Sequence, residues 1–232
     1  MYPTPKRNEA ETVYDGNLKY KDYTLEKRKS RQIYFIVKRV MDFVLALIGL
    51  IIISPLFLII SLLIKIEDPK GHVFFYQTRI GKDEKPFRMY KFRSMVSNAE
   101  ELLEELLEQN EINGAMFKMK EDPRVTRIGK LIRKTSIDEL PQLWNVIRGD
   151  MSLVGPRPAL PREVDQYSSY DKLRLQVIPG CTGLWQVSGR NDLSFYQMVE
   201  LDLKYIKDQN LKNDLKILLK TLRLLFGSKN AF

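Results

Sequence analysis

Apolar positions change period several times along the chain, and each change marks an element. From Phe43 to Ile64 no residue carries a charge. A straight helix over that stretch reaches about 33 Å, one bilayer core. In IIISPLFLII, however, Ser54 and Pro55 break the run at its middle. A proline inside a helix removes a backbone donor and crowds the preceding turn, at a cost of about 3 kcal/mol. The Ser54 hydroxyl can serve the carbonyl that proline leaves without a partner. Lys27, Arg28, Lys29, Arg31, Lys38 and Arg39 precede the run; Lys65, Lys70, Arg79, Lys82 and Lys85 follow it. A spanning helix shows basic excess on one side only. Basic residues on both flanks favour a segment that enters, kinks and returns, with a proline-kinked single-pass anchor as the alternative.

Beyond Lys65 the period shortens. HVFFYQTRIG predicts a strand and turn, and PFRMYKFRSM a second strand of alternating basic and apolar residues. Leucines at three- and four-residue spacing predict a helix over Ser97 to Glu111 with a solvated acidic face. RVTRIGKLIRKTS places Arg127, Lys130, Arg133 and Lys134 on a short basic helix, and IDELPQLWNVIRGD is another, ended by Gly149. The last helix repeats Leu211, Leu215, Leu218, Leu222 and Leu225 beside a stripe of Lys212, Lys216, Lys220 and Arg223. Core packing is the first reading of its leucine face. A helix lying on anionic headgroups competes with it once a membrane segment is near. The division expected is a polar lead over 1–32 with no signal peptide, a membrane helix over 33–66, and one catalytic domain over 67–232.

Composition narrows the chemistry. The chain has 232 residues and 44% hydrophobic content, with mean hydropathy −0.28, so at most one segment enters lipid. Its net charge of +9 suits a polyanionic partner. Cys181 is the single cysteine and His72 the single histidine, which excludes an internal disulfide and histidine- or thiolate-rich metal sites. Any metal is then a hard ion on carboxylates, with magnesium the natural choice. Neither G-x-x-x-x-G-K-[ST] nor G-x-G-x-x-G occurs.

The informative stretch is KTSIDELPQLWN. Ser136 with Glu139 fits a helix-capping box, although that register puts Pro141 deep in the helix. A helix starting at Asp138 keeps Pro141 in the first turn. Either way Asp138 and Glu139 sit at a helix start, where N–H groups also favour phosphate. One carboxylate can hold magnesium while its neighbour attacks phosphorus or positions the attacker. Lys91, Arg93, Arg133 and Arg157 lie in compact segments, and Arg157 is stiffened between Pro156 and Pro158. Phosphoryl transfer needs such cations, because its catalysis is mostly positioning and charge stabilisation. Solvated surface charge accounts for most of the other lysines and arginines.

KRVMDF, the Ser54-Pro55 break, GHVFFYQTRIG, MYKFRSM, RIGKLIRKTSIDELPQLWNVIRGDMSLVGPRP and PGCTGLWQVSGRND occur in that order from about Lys38 to the C-terminus. In these motifs the chain resembles the monotopic bacterial sugar transferases, which are polyprenyl-phosphate hexose-1-phosphate transferases. Residues 1 to 37 lie outside the resemblance, and the large N-terminal membrane domain of some relatives has no counterpart in it. The resemblance implies an α+β, mainly helical fold: a re-entrant membrane helix-hairpin and a small cytoplasmic catalytic domain with amphipathic interfacial helices. It implies Asp138 as nucleophile, Glu139 with Asp138 as holders of Mg2+ (or Mn2+), and Lys91, Arg133 and Arg157 as supporting cations. Arg93, Gln186, Arg190 and Asn191 are expected to contact substrate. The partners implied are a UDP-sugar, with UDP-glucose or UDP-galactose favoured, undecaprenyl phosphate and anionic membrane lipids at the cytoplasmic face of the inner membrane. A homo-oligomer is left open, and no nucleic acid is expected because no module for it occurs. The competing class is a non-catalytic membrane-bound scaffold for polyanions, in which Asp138 and Glu139 only cap a helix.

Overall fold

The computed structural model describes residues 32–99, 101–102, 122–189 and 193–227. The expected helix beyond Leu102, the lead up to Arg31, and Arg190 and Asn191 lie outside the described residues. The fold is α+β and mainly helical. A long helix α1 (Gln32–Glu67) is followed by β1 (Phe74–Ile80), β2 (Pro86–Phe92), α2 (Arg127–Lys134) and α3 (Gln142–Arg148). Then come β3 (Ser152–Val154), α4 (Pro161–Val164), β4 (Gly180–Thr182), α5 (Phe195–Lys207) and α6 (Leu211–Gly227).

Helix α1 contains Pro55, and the local chemistry explains how. Proline 55 has no N–H for the carbonyl four residues back, which is that of Ile51. Ser54 Oγ donates to that same oxygen at 2.8 Å. One side of the helix is buried at Lys38, Asp42, Ala46, Ile60 and Ile64, a run spaced in multiples of about a helical turn. The opposite side leaves Ile48, Ile51, Ile52, Leu58, Ile59 and Leu62 exposed. So one face meets the rest of the chain near both ends of the helix.

The buried face begins with charge. Lys38 Nζ lies 3.2 Å from Asp214 and 3.8 Å from Asp42. Tyr34 and Tyr205 donate to Asp214 at 2.8 Å each, and Ser152 Oγ donates to Asp42 at 2.7 Å. Arg39 donates to the carbonyls of Val146 and Ile147 at 2.5 and 2.8 Å, covering the C-terminal end of α3. Lys38 and Arg39 are therefore tertiary contacts and not the free flanking charge the sequence suggested. At the other end of α1, Glu67 accepts from the N–H groups of Arg127 and Ile128, at 2.6 and 2.9 Å, and caps α2.

The two expected strands form an antiparallel hairpin running from Phe74 opposite Phe92 to Ile80 opposite Pro86. Strand alternation puts Phe74 and Phe92 on one face, where both meet Phe57 of α1. The other face carries Phe75, Gln77, Arg79, Met89 and Lys91. Asn145, fully buried in α3, splices helix to hairpin: it accepts from Tyr90 N–H at 3.0 Å and donates to Arg88 O at 2.7 Å. Gly149, at φ 93°, ends α3 as expected.

PGCTGLWQVSGRND, which holds the expected substrate contacts Gln186, Arg190 and Asn191, contributes β4, parallel to β3 with Ser152 opposite Gly180. Glycines make this approach close enough, since a Cβ on Gly180 would lie 2.0 Å from the Gly155 nitrogen. Core packing of the α6 leucine stripe holds only in part: Leu218 packs against the cluster of Val154, Val177, Tyr205, Ile206 and Ile217. Leu211, Leu215 and Leu222 are exposed, and the buried side is Asp214 and Ile217, with Thr221 Oγ1 at 2.8 Å from Thr182 Oγ1. Asp214 must reach Lys38 and both tyrosines, and that fixes the rotation of the helix and turns Leu211, Leu215 and Leu222 outward.

The Lys38 network predicts a large stability cost. Lys38→Met leaves two buried carboxylates without their cation and is expected to cost about 3–5 kcal/mol. Removing both partners, as Lys38→Met with Asp214→Asn, is expected to recover part of the loss. Thermal midpoints of the detergent-solubilised variants check both expectations.

Candidate active site

Asp138 and Glu139 sit in a single tight turn, Ile137–Glu139, between α2 and α3. The capping box does not form. Ser136 is left-handed at φ 56° with no side-chain cap bond, and the Glu139 carboxylate points elsewhere. Nor does the helix start at Asp138. Pro141 serves as the residue before α3, where its missing N–H costs nothing, and i+3 bonds from Glu139 N to Ser136 O and from Leu140 N to Ile137 O close the turn. The carboxylates are thus presented on a tight turn held between two helices.

Each charge nearby arrives on a different element. Lys91, on β2, donates to Glu139 Oε1 at 2.7 Å. Arg133, in the last turn of α2, is steadied by an Nε bond to Ser94 Oγ at 2.8 Å. Arg157 stands exposed between two buried prolines in the loop after β3. Arg79, on β1, donates from Nη1 to Pro158 O at 3.0 Å, and from Nε and Nη2 to Gln77 Oε1 at 3.1 and 2.7 Å. A small open recess is lined by Arg79, Met89, Glu139, Gln142, Arg157, Pro158, Gly180, Cys181 and Gln186.

Of the residues singled out from sequence, Glu139, Arg157 and Gln186 meet at this recess. Lys91 joins through Glu139, and Asp138 lies beside them with Lys91 and Arg133 as its cations. Arg93 is engaged elsewhere: it pairs with Asp68 at 2.8 Å and bonds the Asp68 carbonyl, holding the chain after α1. Ser54 and Pro55 lie exposed on α1. Arg79, Gln77, Gln142 and Cys181 were not singled out as site residues. Strand alternation carried a signal for two of them, because Gln77 and Arg79 share the hairpin face of Lys91. Arg79 was instead counted among the charges flanking the membrane.

The two carboxylates titrate in opposite directions. Burial raises Asp138 above the usual carboxylate range, against the pull of Lys91 and Arg133. Burial acts upward on Glu139 too, but Lys91, Arg157 and Arg79 outweigh it and hold Glu139 below its ordinary value. Burial and the neighbouring Arg157 push Arg79 down to about 10, still charged at neutral pH. Burial drives the Cys181 thiol up, so no thiolate nucleophile is available there. Such a split pair suits two roles, a fixed anion and a poorly solvated carboxylate able to attack. Among the described residues no three His, Cys, Asp or Glu side chains cluster as a metal cage. Two adjacent carboxylates nevertheless fit Mg2+, which takes one or two carboxylates and fills its shell with phosphate and water.

Asp138 sets a stability prediction with a definite sign. Its folded pKa is raised above the unfolded value of about 3.9, so its contribution is fully present below that pH and is lost as pH rises through the folded pKa. Asp138→Asn is neutral throughout. The variant is therefore expected to melt at or above the wild-type temperature at pH 8, with any advantage shrinking towards pH 4. Melting curves across that range check the sign.

The profile described as "Bacterial sugar transferase" matches residues 33–228. The chain is 47% identical over 199 residues to the galactosyl transferase CpsE of Streptococcus agalactiae, covering 85% of this chain and 44% of that protein. It is 46% identical over 212 residues to the undecaprenyl-phosphate galactose phosphotransferase of Salmonella typhimurium, 90% of this chain and 43% of the relative. The exopolysaccharide production protein ExoY of Rhizobium meliloti is 43% identical over 206 residues, 87% of this chain and 91% of ExoY. The chain thus spans under half the length of the first two relatives and most of the third. With its profile match running from α1 through α6, the chain belongs to the bacterial sugar transferase family.

Proposed function

We propose that this chain is a membrane-associated phosphoglycosyl transferase, moving a sugar 1-phosphate from a UDP-sugar to undecaprenyl phosphate with release of UMP. The step would prime an exopolysaccharide, capsule or other surface glycan. The observation that carries this is the adjacent carboxylate pair, with Lys91 and Arg133 acting on Asp138 and Arg79 and Arg157 lining one recess with Glu139. A scaffold that used the pair as a helix cap would need the capping bonds that are missing here. Relatives named for galactose transfer make UDP-galactose the first donor to try, with UDP-glucose beside it.

The proposed chemistry is a double displacement. An Asp138 oxygen attacks the phosphorus that carries the sugar. The bond from that phosphorus to the bridging oxygen breaks, and its electron pair leaves with UMP. The acyl phosphate so formed is attacked by an oxygen of undecaprenyl phosphate, which restores the carboxylate and yields the lipid diphosphate sugar. Lys91 and Arg133 oppose the upward shift that burial gives Asp138 and neutralise the transferred phosphoryl oxygens. Glu139, with Asp138 adjacent, would hold Mg2+ (or Mn2+), which supplies charge neutralisation on the diphosphate when bound.

The membrane arrangement proposed is monotopic, on the cytoplasmic face of the inner membrane. It is supported by the buried stripe of α1, in which Lys38 and Ile64, about 39 Å apart along a straight helix, belong to one protein-facing side. A helix crossing the bilayer would put those ends on opposite sides of the lipid. The exposed leucines of α6, flanked by Lys212, Lys216 and Lys220, suit an anionic headgroup surface.

Two experiments test these proposals. Wild-type protein with a UDP-sugar panel and Mg2+, but no lipid acceptor, is expected to release one UMP per chain and gain a sugar phosphate on Asp138, visible by mass spectrometry. EDTA is expected to abolish the release, and Asp138→Asn to lose it while staying folded; turnover by Asp138→Asn near the wild-type rate sinks the covalent step. Single cysteines before α1 and after α6, in a Cys181→Ser background, are expected to resist labelling from outside intact cells. Labelling of the site before α1 alone would mean a spanning helix.

A further inference from the structure

Arg79 differs from the other buried arginines of the described chain. Arg93 is paired with Asp68, Arg124 with Asp122 and Arg174 with Asp202. Arg79 is only 6% exposed, yet among the described residues no carboxylate lies in ion-pair range. Its hydrogen bonds go to neutral oxygens, the Pro158 carbonyl and the Gln77 side chain. Those three bonds use Nε and one N–H on each terminal nitrogen. Of the five guanidinium donors, two remain, one on each terminal nitrogen. Glu163 and Glu139 attract Arg79 from beyond ion-pair range, but burial and Arg157, which lines the same recess, outweigh them and penalise its charge. A fixed, buried guanidinium beside another, with donors to spare, is an arrangement that an anion completes.

We propose that Arg79 and Arg157 together seat the phosphate that departs with the nucleoside, making Arg79 a catalytic residue for the leaving group. The inference rests on the transferase reading above and assigns a second set of cations within it. Arg79 and Arg157 line the recess with Glu139, whereas Asp138, Lys91 and Arg133 stand outside its lining; Lys91 acts on both carboxylates and Arg133 on Asp138. Attacking and leaving oxygens stand in line on opposite sides of phosphorus. Cations removed from the nucleophile therefore suit the leaving phosphate better than the transferred one. As the bond to the bridging oxygen breaks, the α-phosphate gains a full negative charge. The two guanidiniums neutralise it with no proton transferred, and Gln77 holds the plane of Arg79 in place beforehand.

UMP binding to the detergent-solubilised full chain, measured by calorimetry, tests the proposal without requiring turnover. Arg79→Lys keeps a cation that can still reach Pro158 but loses the planar fork, and is expected to weaken UMP binding by about 10-fold. Arg157→Gln is expected to weaken it similarly, and the double variant more than either. Should Arg79→Lys melt far below wild type, Gln77→Met is read instead; it frees the plane of Arg79 and is expected to weaken UMP by about 3-fold. UMP affinity within about twofold of wild type in the folded variant overturns the proposal. So does loss of the Arg79→Lys effect in the Arg157→Gln background, which would mean that Arg79 acts only through Pro158. A wild type that turns over without binding UMP overturns it as well. A wild type that neither binds UMP nor releases it from any UDP-sugar instead removes the transferase reading itself.

Discussion

Asp214 is fully buried, and its carboxylate is the point through which the long helix and the C-terminal helices hold each other. It receives Lys38 and Tyr34 from α1 and Tyr205 from α5, and the Tyr205 hydroxyl also lies 3.0 Å from the Val154 carbonyl oxygen. A carboxylate taken fully out of water needs this many partners, because its desolvation otherwise exceeds any single attraction. Once they are satisfied, the rotation of α6, the face of α1 and the position of β3 are set together. The outward leucines of α6 are a consequence of this one buried charge.

The same logic carries to the recess. Arg39 on α1 holds the last carbonyls of α3, and Asn145 ties α3 to the hairpin that carries Arg79 and Lys91. Close glycine contacts at Gly155 and Gly180 bring the loop bearing Arg157 against the strand bearing Cys181. Each support is a polar side chain or a missing Cβ far from Asp138 in sequence. Together they let a single turn present two carboxylates to cations from four elements. Burial and those cations then separate the carboxylates electrostatically, although they are neighbours in the chain.

Much of this was legible in the residues. The alternation of FYQTRI and FRMYKF required a hairpin, the uncharged run required an apolar helix, and Gly149 marked the end of α3. These are local effects of pleat, period and backbone freedom, which neighbouring residues settle among themselves. Ser54 before Pro55 also announced its role, since the orphaned carbonyl and its replacement donor lie within one turn. Asp138 and Glu139 stood out through the neighbouring motifs, since local sequence alone fits a helix cap equally well.

What neighbours could not settle was which of several uses a charge would find. Lys38, Arg39 and Arg79 all read as membrane-flanking cations, yet one neutralises Asp214, one caps α3 and one lies in the recess. Arg93 read as a phosphate ligand and pairs with Asp68. The α6 leucines read as core, and the burial of Asp214 three residues beyond Leu211 turned Leu211, Leu215 and Leu222 to solvent while Leu218 stayed against the core. A side chain's hydrophobicity fixes what its removal from water gains, but its partner depends on which distant segment the backbone brings within about 3 Å. The sequence alone determined the elements and the carboxylate pair; the tertiary structure decided which cations faced that pair, because electrostatic partnership is a matter of distance through space.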